Sequence, residues 1–253
     1  EPECLASLLA TLETTALVGA IAPKQVDPGK PRIIRQLGLT LTPLGEPLSI
    51  VSGELDQSQH DTMSDVMAVS TAGLLVRTDI YEQLGGLSPK APPLAADYDL
   101  SLRVRLAGLR VMVAPLARIR HAQLSLEGKR SRAWLGGSPK TAVRKAAVHL
   151  RLAFSPLWFA LIYWMLLPLV TVARTFWRLF QKRPDRIPAE LLGGLWGFFT
   201  LGARLSARAG RSRDIRAIRK SFDAPWSTVR AASRSQADLE RQQELQQAFA
   251  RGD

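Results

Sequence analysis

Cysteine is almost missing from this sequence. Cys4 is the only one, which excludes a disulfide framework and suits a reducing compartment. Cys4 itself reads as a small helix residue without a chemical role. Glu1 to Ala10 lacks the basic start of a secretory signal peptide, and a first residue of Glu rather than Met reads as a start inside a longer protein. Acidity is lacking in the second half. Through His121 there are 11 basic and 13 acidic residues, so of the 34 Lys and Arg and the 22 Asp and Glu, 23 and 9 remain beyond it. The net charge is therefore −2 before Ala122 and +14 after it, together the chain's +12. Disorder throughout is excluded, because 46% hydrophobic residues suffice to bury a core.

Charge is also missing from Leu152 to Ala173, 22 residues without a charged side chain. At about 1.5 Å per residue a helix of that length crosses the roughly 30 Å hydrocarbon core. A second apolar run, Leu191 to Ala203, has 13 residues, too few to cross alone. It is expected in the interface, re-entrant, or packed on the first run. Lys140, Arg144, Lys145 and Arg151 precede the long run, and Arg174, Arg178, Lys182, Arg183 and Arg186 follow it. With both flanks basic, a helical hairpin or an in-plane pair is favoured over a single crossing, and the cations are expected at anionic lipid. His149, among those cations, reads as interfacial.

The first half alternates helical and strand patterns. Leu5, Leu8, Leu9 and Leu12 mark an amphipathic helix, and Ala16 to Ala22 a buried strand closed by Pro23. Ile33 to Pro47 forms a ribbon or hairpin around Pro43 and Gly45. Thr78 to Gln83 is a short helix stopped by Gly85 and Gly86. Leu100, Val104 and Ala107 share a helical face ended by Gly108, and Arg110 to Ala114 is a strand stopped by Pro115. This alternation indicates an α/β layer, short for a complete nucleotide-binding sheet.

The small-residue stretch Ser70 to Arg77 leads into that short helix and the turn Gly85-Gly86-Leu87-Ser88. Asp97-Tyr98-Asp99-Leu100 with Arg103 follows, then Gly108, Pro115, Ala117 and His121. In order and spacing this resembles the second half of the catalytic domain of family 2 glycosyltransferases, which have the Rossmann-like GT-A fold. Two positions depart from the family: Leu87-Ser88 replaces Phe-Asp in the turn, and Ala96 replaces the first acid of the acidic pair. The resemblance implies that Asp97 is the general base and His121 a ligand of Mg²⁺ or Mn²⁺, and that Thr71, Ala72 and Gly73 lie close to the sugar. His60 and Asp61, in a loop similar to one in large actinobacterial members, are candidate contacts to donor or acceptor. The residues agree on which acid works. Two helical steps turn by about 200°, so Asp97 and Asp99 cannot face one site, and Asp99 has the spacing of a surface ion pair with Arg103.

The expectation is thus an inverting glycosyltransferase of the bacterial plasma membrane, its catalytic domain on the cytoplasmic face. It would move sugar from a nucleotide-sugar donor to a cell-envelope glycan or lipid-linked acceptor. Four regions are expected: 1–125, the second half of the GT-A domain; 126–151, a basic linker; 152–205, a membrane-associated helical pair; and 206–253, a basic and polar tail. The family's acidic nucleotide-binding motif does not precede the match, so this chain alone is expected to be inactive. The rival reading is a noncatalytic membrane-associated basic module. Between Arg204 and Arg230 the only aromatic residues are Phe222 and Trp226, which favours lipid over nucleic acid as its partner.

Overall fold

In a computed structural model, residues 2–42, 45–123 and 137–208 are described. Pro43, and the tail beyond Arg208 with Phe222 and Trp226, lie outside them.

The chain opens with α1 (Cys4–Thr14). Its packed stripe is Cys4, Leu8 and Leu12, while Leu5 and Leu9 are exposed. The apolar positions expected on one face therefore divide, and the i, i+4, i+8 set wins the core. A six-stranded sheet follows, centred on β1 (Val18–Val26), which is buried along its whole length. β2 (Ile33–Leu41) pairs antiparallel with β1, and β3 (Pro47–Val51) and β4 (Glu54–Leu55) pair antiparallel with β2. The short β5 (Leu75–Val76) is antiparallel to β1. α2 (Thr78–Gln83) comes next, ended by Gly85 and Gly86 at φ +73° and +65°, a region costly for any side chain. A 3₁₀ turn at Pro93–Ala95 leads into α3 (Ala96–Leu106), and Gly108 at φ +81° turns the chain into β6 (Arg110–Arg120), parallel to β1.

A strand buried on both faces needs a cover on each, and that requirement makes β1 apolar from Val18 to Pro23. Leu8 packs with Val18, Ile21, Met112 and Ala114 on one side. Ile80 of α2 and Val104 of α3 pack with Ala20, Ala22, Val111 and Val113 on the other. The domain is therefore α/β with a mixed sheet.

Two prolines do not end strands as expected. β1 runs through Pro23 and β6 through Pro115, because the pairing jumps from Pro23↔Ala114 to Lys24↔Arg118. Pro115 to Ala117 bulge out of the ladder at that point, where a proline costs no paired N–H. The apolar stretch Val66–Arg77 is only partly strand. Ala68 makes an isolated bridge with Leu39, and regular pairing returns only at Leu75.

The apolar run Leu152–Ala173 is not one helix. α4 (Pro139–Ala153) occupies much of the expected linker, capped by Ser138 through the Thr141 amide. Its Ala146, Leu150 and Ala153, with Phe154, share a core with Tyr98 and Leu102 of α3. The chain breaks before Pro156, and α5 (Leu157–Phe180) begins there, with Pro168 inside it. This 24-residue helix is long and apolar enough to cross a membrane by length and composition. Ala160, Leu167 and Thr171 form its buried face; Trp158, Met165, Leu169, Val172 and Phe176 point outward.

α6 (Ile187–Phe199) covers most of the second apolar run and packs on α4 and α5, and α7 (Leu201–Ser206) completes it. Glycines let α6 approach closely. A Cβ at Gly193 would lie 2.4 Å from Arg144, one at Gly194 2.1 Å from Thr171, and one at Gly197 2.3 Å from Val148. Close contact of this kind replaces side-chain interdigitation with backbone proximity.

The basic flanks do not present a row of cations to lipid. Arg144, Arg174 and Arg178 converge on the buried Glu190 at 3.0, 2.8 and 2.9 Å. Arg174 also reaches Glu46 between β2 and β3 at 2.7 Å. Arg151 lies over Phe159 and Tyr163, Lys145 over Trp196, and Lys140 pairs with Asp185. A buried carboxylate cannot stay charged without such partners, which explains why so many cations turn inward.

Candidate active site

Three segments meet around the Ser70 to Leu74 turn. The backbone N–H of Thr71 donates to Asp97 Oδ1 at 3.1 Å. Ser101, one turn later on α3, donates to the Asp97 carbonyl at 2.8 Å and accepts from the Val69 N–H at 3.1 Å. The turn is thereby stitched to the helix on both sides of Asp97. At its centre Gly73 has φ +82°, and a Cβ there would meet Ile119 at 2.8 Å and Pro23 at 2.9 Å. Only glycine satisfies both the dihedral and the space.

The other flank of the turn is Gln25. Its amide donates to the Ala72 carbonyl at 3.3 Å, and its Oε1 lies 2.8 Å from His121 Nδ1. Because Oε1 can only accept, Nδ1 carries the proton and the lone pair of the imidazole is on Nε2. His121 is further fixed by its own N–H, which donates to Val26 at 3.0 Å. Thr71, Ala72, Asp97 and His121 are thus tied together by hydrogen bonds through the turn and Gln25, with Gly73 next to them in the same turn.

Gln25 is the residue the sequence reading passed over. It is 2% exposed in an apolar strand, and a buried amide needs partners. The polar pair Lys24-Gln25 between Pro23 and Val26 was the available signal.

Asp97 sits in the first turn of α3, and its carboxyl is pushed up from the usual carboxylate range by the surrounding protein, against the hydrogen bonds from Thr71 and Ser70 that favour the anion. Asp99 points the other way, as two helical steps require. It is not on the surface, however. It is fully buried, bound to Arg103 at 2.8 Å and 3.6 Å from His149. His149 is buried as well, not interfacial.

His60 and Asp61 are engaged elsewhere. His60 Nε2 lies 2.8 Å from Glu54, and Asp61 accepts from Lys24 at 2.8 Å. Lys24, itself buried beneath Asp56 at 2.9 Å, holds the Asp61 carboxyl below its usual range through that hydrogen bond. Neither residue is hydrogen-bonded to Asp97 or His121.

Among the described residues no group of three or more His, Cys, Asp or Glu side chains converges as a cation site requires. His121 supplies one imidazole. The donor set on the described residues does not fit the resident Mg²⁺ or Mn²⁺ that the resemblance implies.

An acid on a helix start beside a glycine-bearing turn, backed by a parallel strand that ends in an oriented histidine, is an arrangement suited to accepting a proton from a hydroxyl. Comparison with curated proteins returns no match to this chain. The profile of the family described as Glycosyltransferase like family 2 matches residues 1–141, more than half of the 253, and covers every residue of the cluster, so the chain belongs to that family.

Proposed function

We propose that the protein is an inverting glycosyltransferase of actinobacterial type, acting at the cytoplasmic face of the bacterial plasma membrane, with a nucleotide-sugar donor and a cell-envelope glycan or lipid-linked acceptor. The observation that carries this reading is Asp97, an acid with a raised pKa held at the Thr71 to Gly73 turn. A sugar hydroxyl is a poor nucleophile until its proton is removed. As the acceptor oxygen forms its bond to the anomeric carbon, the Asp97 carboxylate takes the hydroxyl proton. The bond from that carbon to the diphosphate oxygen breaks, and the electron pair leaves with the nucleoside diphosphate. One displacement inverts the anomeric centre.

In this reading the Thr71, Ala72 and Gly73 turn lies against the sugar, and Gly73 lets Ile119 and Pro23 pack tightly behind it. His121, oriented by Gln25, faces the departing diphosphate. His60 and Asp61, on the loop above Lys24, contact the donor or the acceptor. Residues 1–125 are the catalytic region and 152–205 the membrane-associated region, with α4 belonging to both through its packing.

Lipid contact follows from the outward face of α5, and the mode of contact from its length. Leu157 and Arg174 are 17 residues apart, about 26 Å of helix. Leu167 packs against Val148 and Leu152 of the catalytic body, and Arg174 reaches Glu46. Were α5 to cross, its far end would carry the β2–β3 turn through the bilayer, where an open sheet edge is not tolerated. The helix therefore lies along the domain in the membrane plane, its apolar face toward the acyl chains.

The stereochemical claim has its own test. Bacterial membranes carrying the complete gene product are supplied in turn with ¹³C-labelled α-linked UDP-, GDP- and dTDP-sugars, and the product is examined by NMR. A β-glycoside is expected from the donor used; an α-glycoside would assign a double displacement or a different mechanism.

A further inference from the structure

α3 starts without a side-chain cap. Its N-cap position is Ala95, and the entering segment is the proline-led 3₁₀ turn. Nothing local fixes the direction of its first turn, so the anchors must be tertiary.

One anchor is a buried chain of polar groups that runs through Asp99, on the face of α3 turned away from Asp97. Arg204 of α7 packs over Trp196 of α6 at 4.6 Å and donates to the Lys90 carbonyl, in the segment leading to α3. The same Nη1 lies 2.6 Å from His149 Nδ1. A guanidinium can only donate, so Nδ1 is the accepting nitrogen and the His149 proton is on Nε2. That nitrogen faces Asp99 Oδ2 at 3.6 Å. Asp99 Oδ1 accepts from Arg103 Nε at 2.8 Å, and Arg103 donates onward to the carbonyls of Leu84 and Gly86 at 2.6 and 2.7 Å. The chain begins on the apolar helical pair and ends on the Gly85-Gly86 turn, passing through α3 two residues from Asp97.

We propose that His149 and Arg204 are positioning residues for Asp97, transmitting the seating of the α5–α6–α7 helices to the first turn of α3. This rests on the reading of Asp97 as the working acid. In a low-dielectric interior each link strengthens its neighbour, and losing one leaves charged groups buried without compensation. The helix that carries Asp97 is then free to rotate or fray at its uncapped start.

The readout is amide hydrogen exchange of the full chain in anionic lipid nanodiscs, followed at the Thr71 N–H that donates to Asp97. In His149→Leu, which can neither accept from Arg204 nor present an N–H toward Asp99, exchange at Thr71 and in the first turn of α3 is expected to rise by about tenfold or more, with the β2–β3 hairpin unchanged. His149→Gln, whose amide both accepts and donates, is expected to restore Thr71 to within about threefold of the wild type. Unchanged protection at Thr71 in His149→Leu overturns the proposal, as does a glutamine variant no better than leucine. Should His149→Leu not fold, Arg204→Gln against Arg204→Lys makes the same comparison. The outcome is separable from the base assignment, which stands or falls on turnover of Asp97→Asn.

Discussion

Replacing Asp97 by Asn lowers turnover by about 100-fold or more while the donor KM stays within about threefold. The substitution keeps the shape of the side chain and an oxygen for the Thr71 N–H, so the turn keeps its anchor. What is lost is the proton acceptor. Asp99→Asn behaves differently: it weakens the pairing of Arg103 inside the protein and leaves His149 facing an amide, and breaking a buried pair costs about 3–5 kcal/mol. Its main effect is therefore on stability, read as a lowered melting temperature. The pH profile separates the two further. A base works only when ionised, and burial raises the pKa of Asp97, so wild-type turnover falls as pH drops through that raised value. In Asp97→Asn that limb disappears. Near-normal turnover in the asparagine variant would remove the base assignment.

The second large effect concerns the outward face of α5. The wild-type chain co-sediments with phosphatidylglycerol-containing vesicles and stays with them in high salt. Two magnitudes decide this. Moving a large apolar side chain out of water is worth about 1.5–3 kcal/mol, against roughly 1 kcal/mol for a cation near an anionic surface. Many of the flanking cations are moreover committed to Glu190, Glu46, Asp185 and aromatic rings. Replacing Met165, Leu169, Val172 and Phe176 together by Gln removes only outward-facing groups, and is expected to shift the chain from the vesicle pellet to the supernatant with at least a 100-fold loss of partitioning, roughly 3 kcal/mol or more. The Glu190 network holds the folded state together in that variant, checked by an unchanged melting temperature. A wild-type chain that stays monodisperse and unbound in the presence of vesicles would contradict the membrane reading.

Much of the fold could be read from the chain because it depends on local chemistry. The bounds of α2 follow from Thr78 and the paired glycines, and the β2–β3 hairpin from its turn residues. Prolines misled, since Pro23 and Pro115 neutralise each other at one bulge and that requires knowing which strands are neighbours. The apolar run Leu152–Ala173 misled for a related reason. Phe154 and Pro156 divide it between a buried helix end and an exposed helix, and hydropathy alone does not distinguish core from lipid.

In the site, the opposite orientations of Asp97 and Asp99 followed from helical geometry. The burial of Asp99 did not, because its partner His149 is 50 residues away and its place depends on how α4 packs. Gln25 was hidden because Pro23 reads as the end of the strand that in fact runs on to Val26. His60 and Asp61 are ordered by Glu54 and Lys24, pairings between segments that spacing does not reveal.

The central claim is that this chain's α/β domain transfers sugar at a membrane with Asp97 as proton acceptor. The most direct measurement is acceptor-dependent transfer of labelled sugar, from a panel of UDP-, GDP- and dTDP-sugars, by membranes carrying the complete gene product as wild type or as Asp97→Asn. The account predicts incorporation into lipid- or glycan-bound product with equimolar nucleoside diphosphate release in the wild type, and its loss in the variant. Equal incorporation by both proteins, or label released only as free sugar, would contradict it.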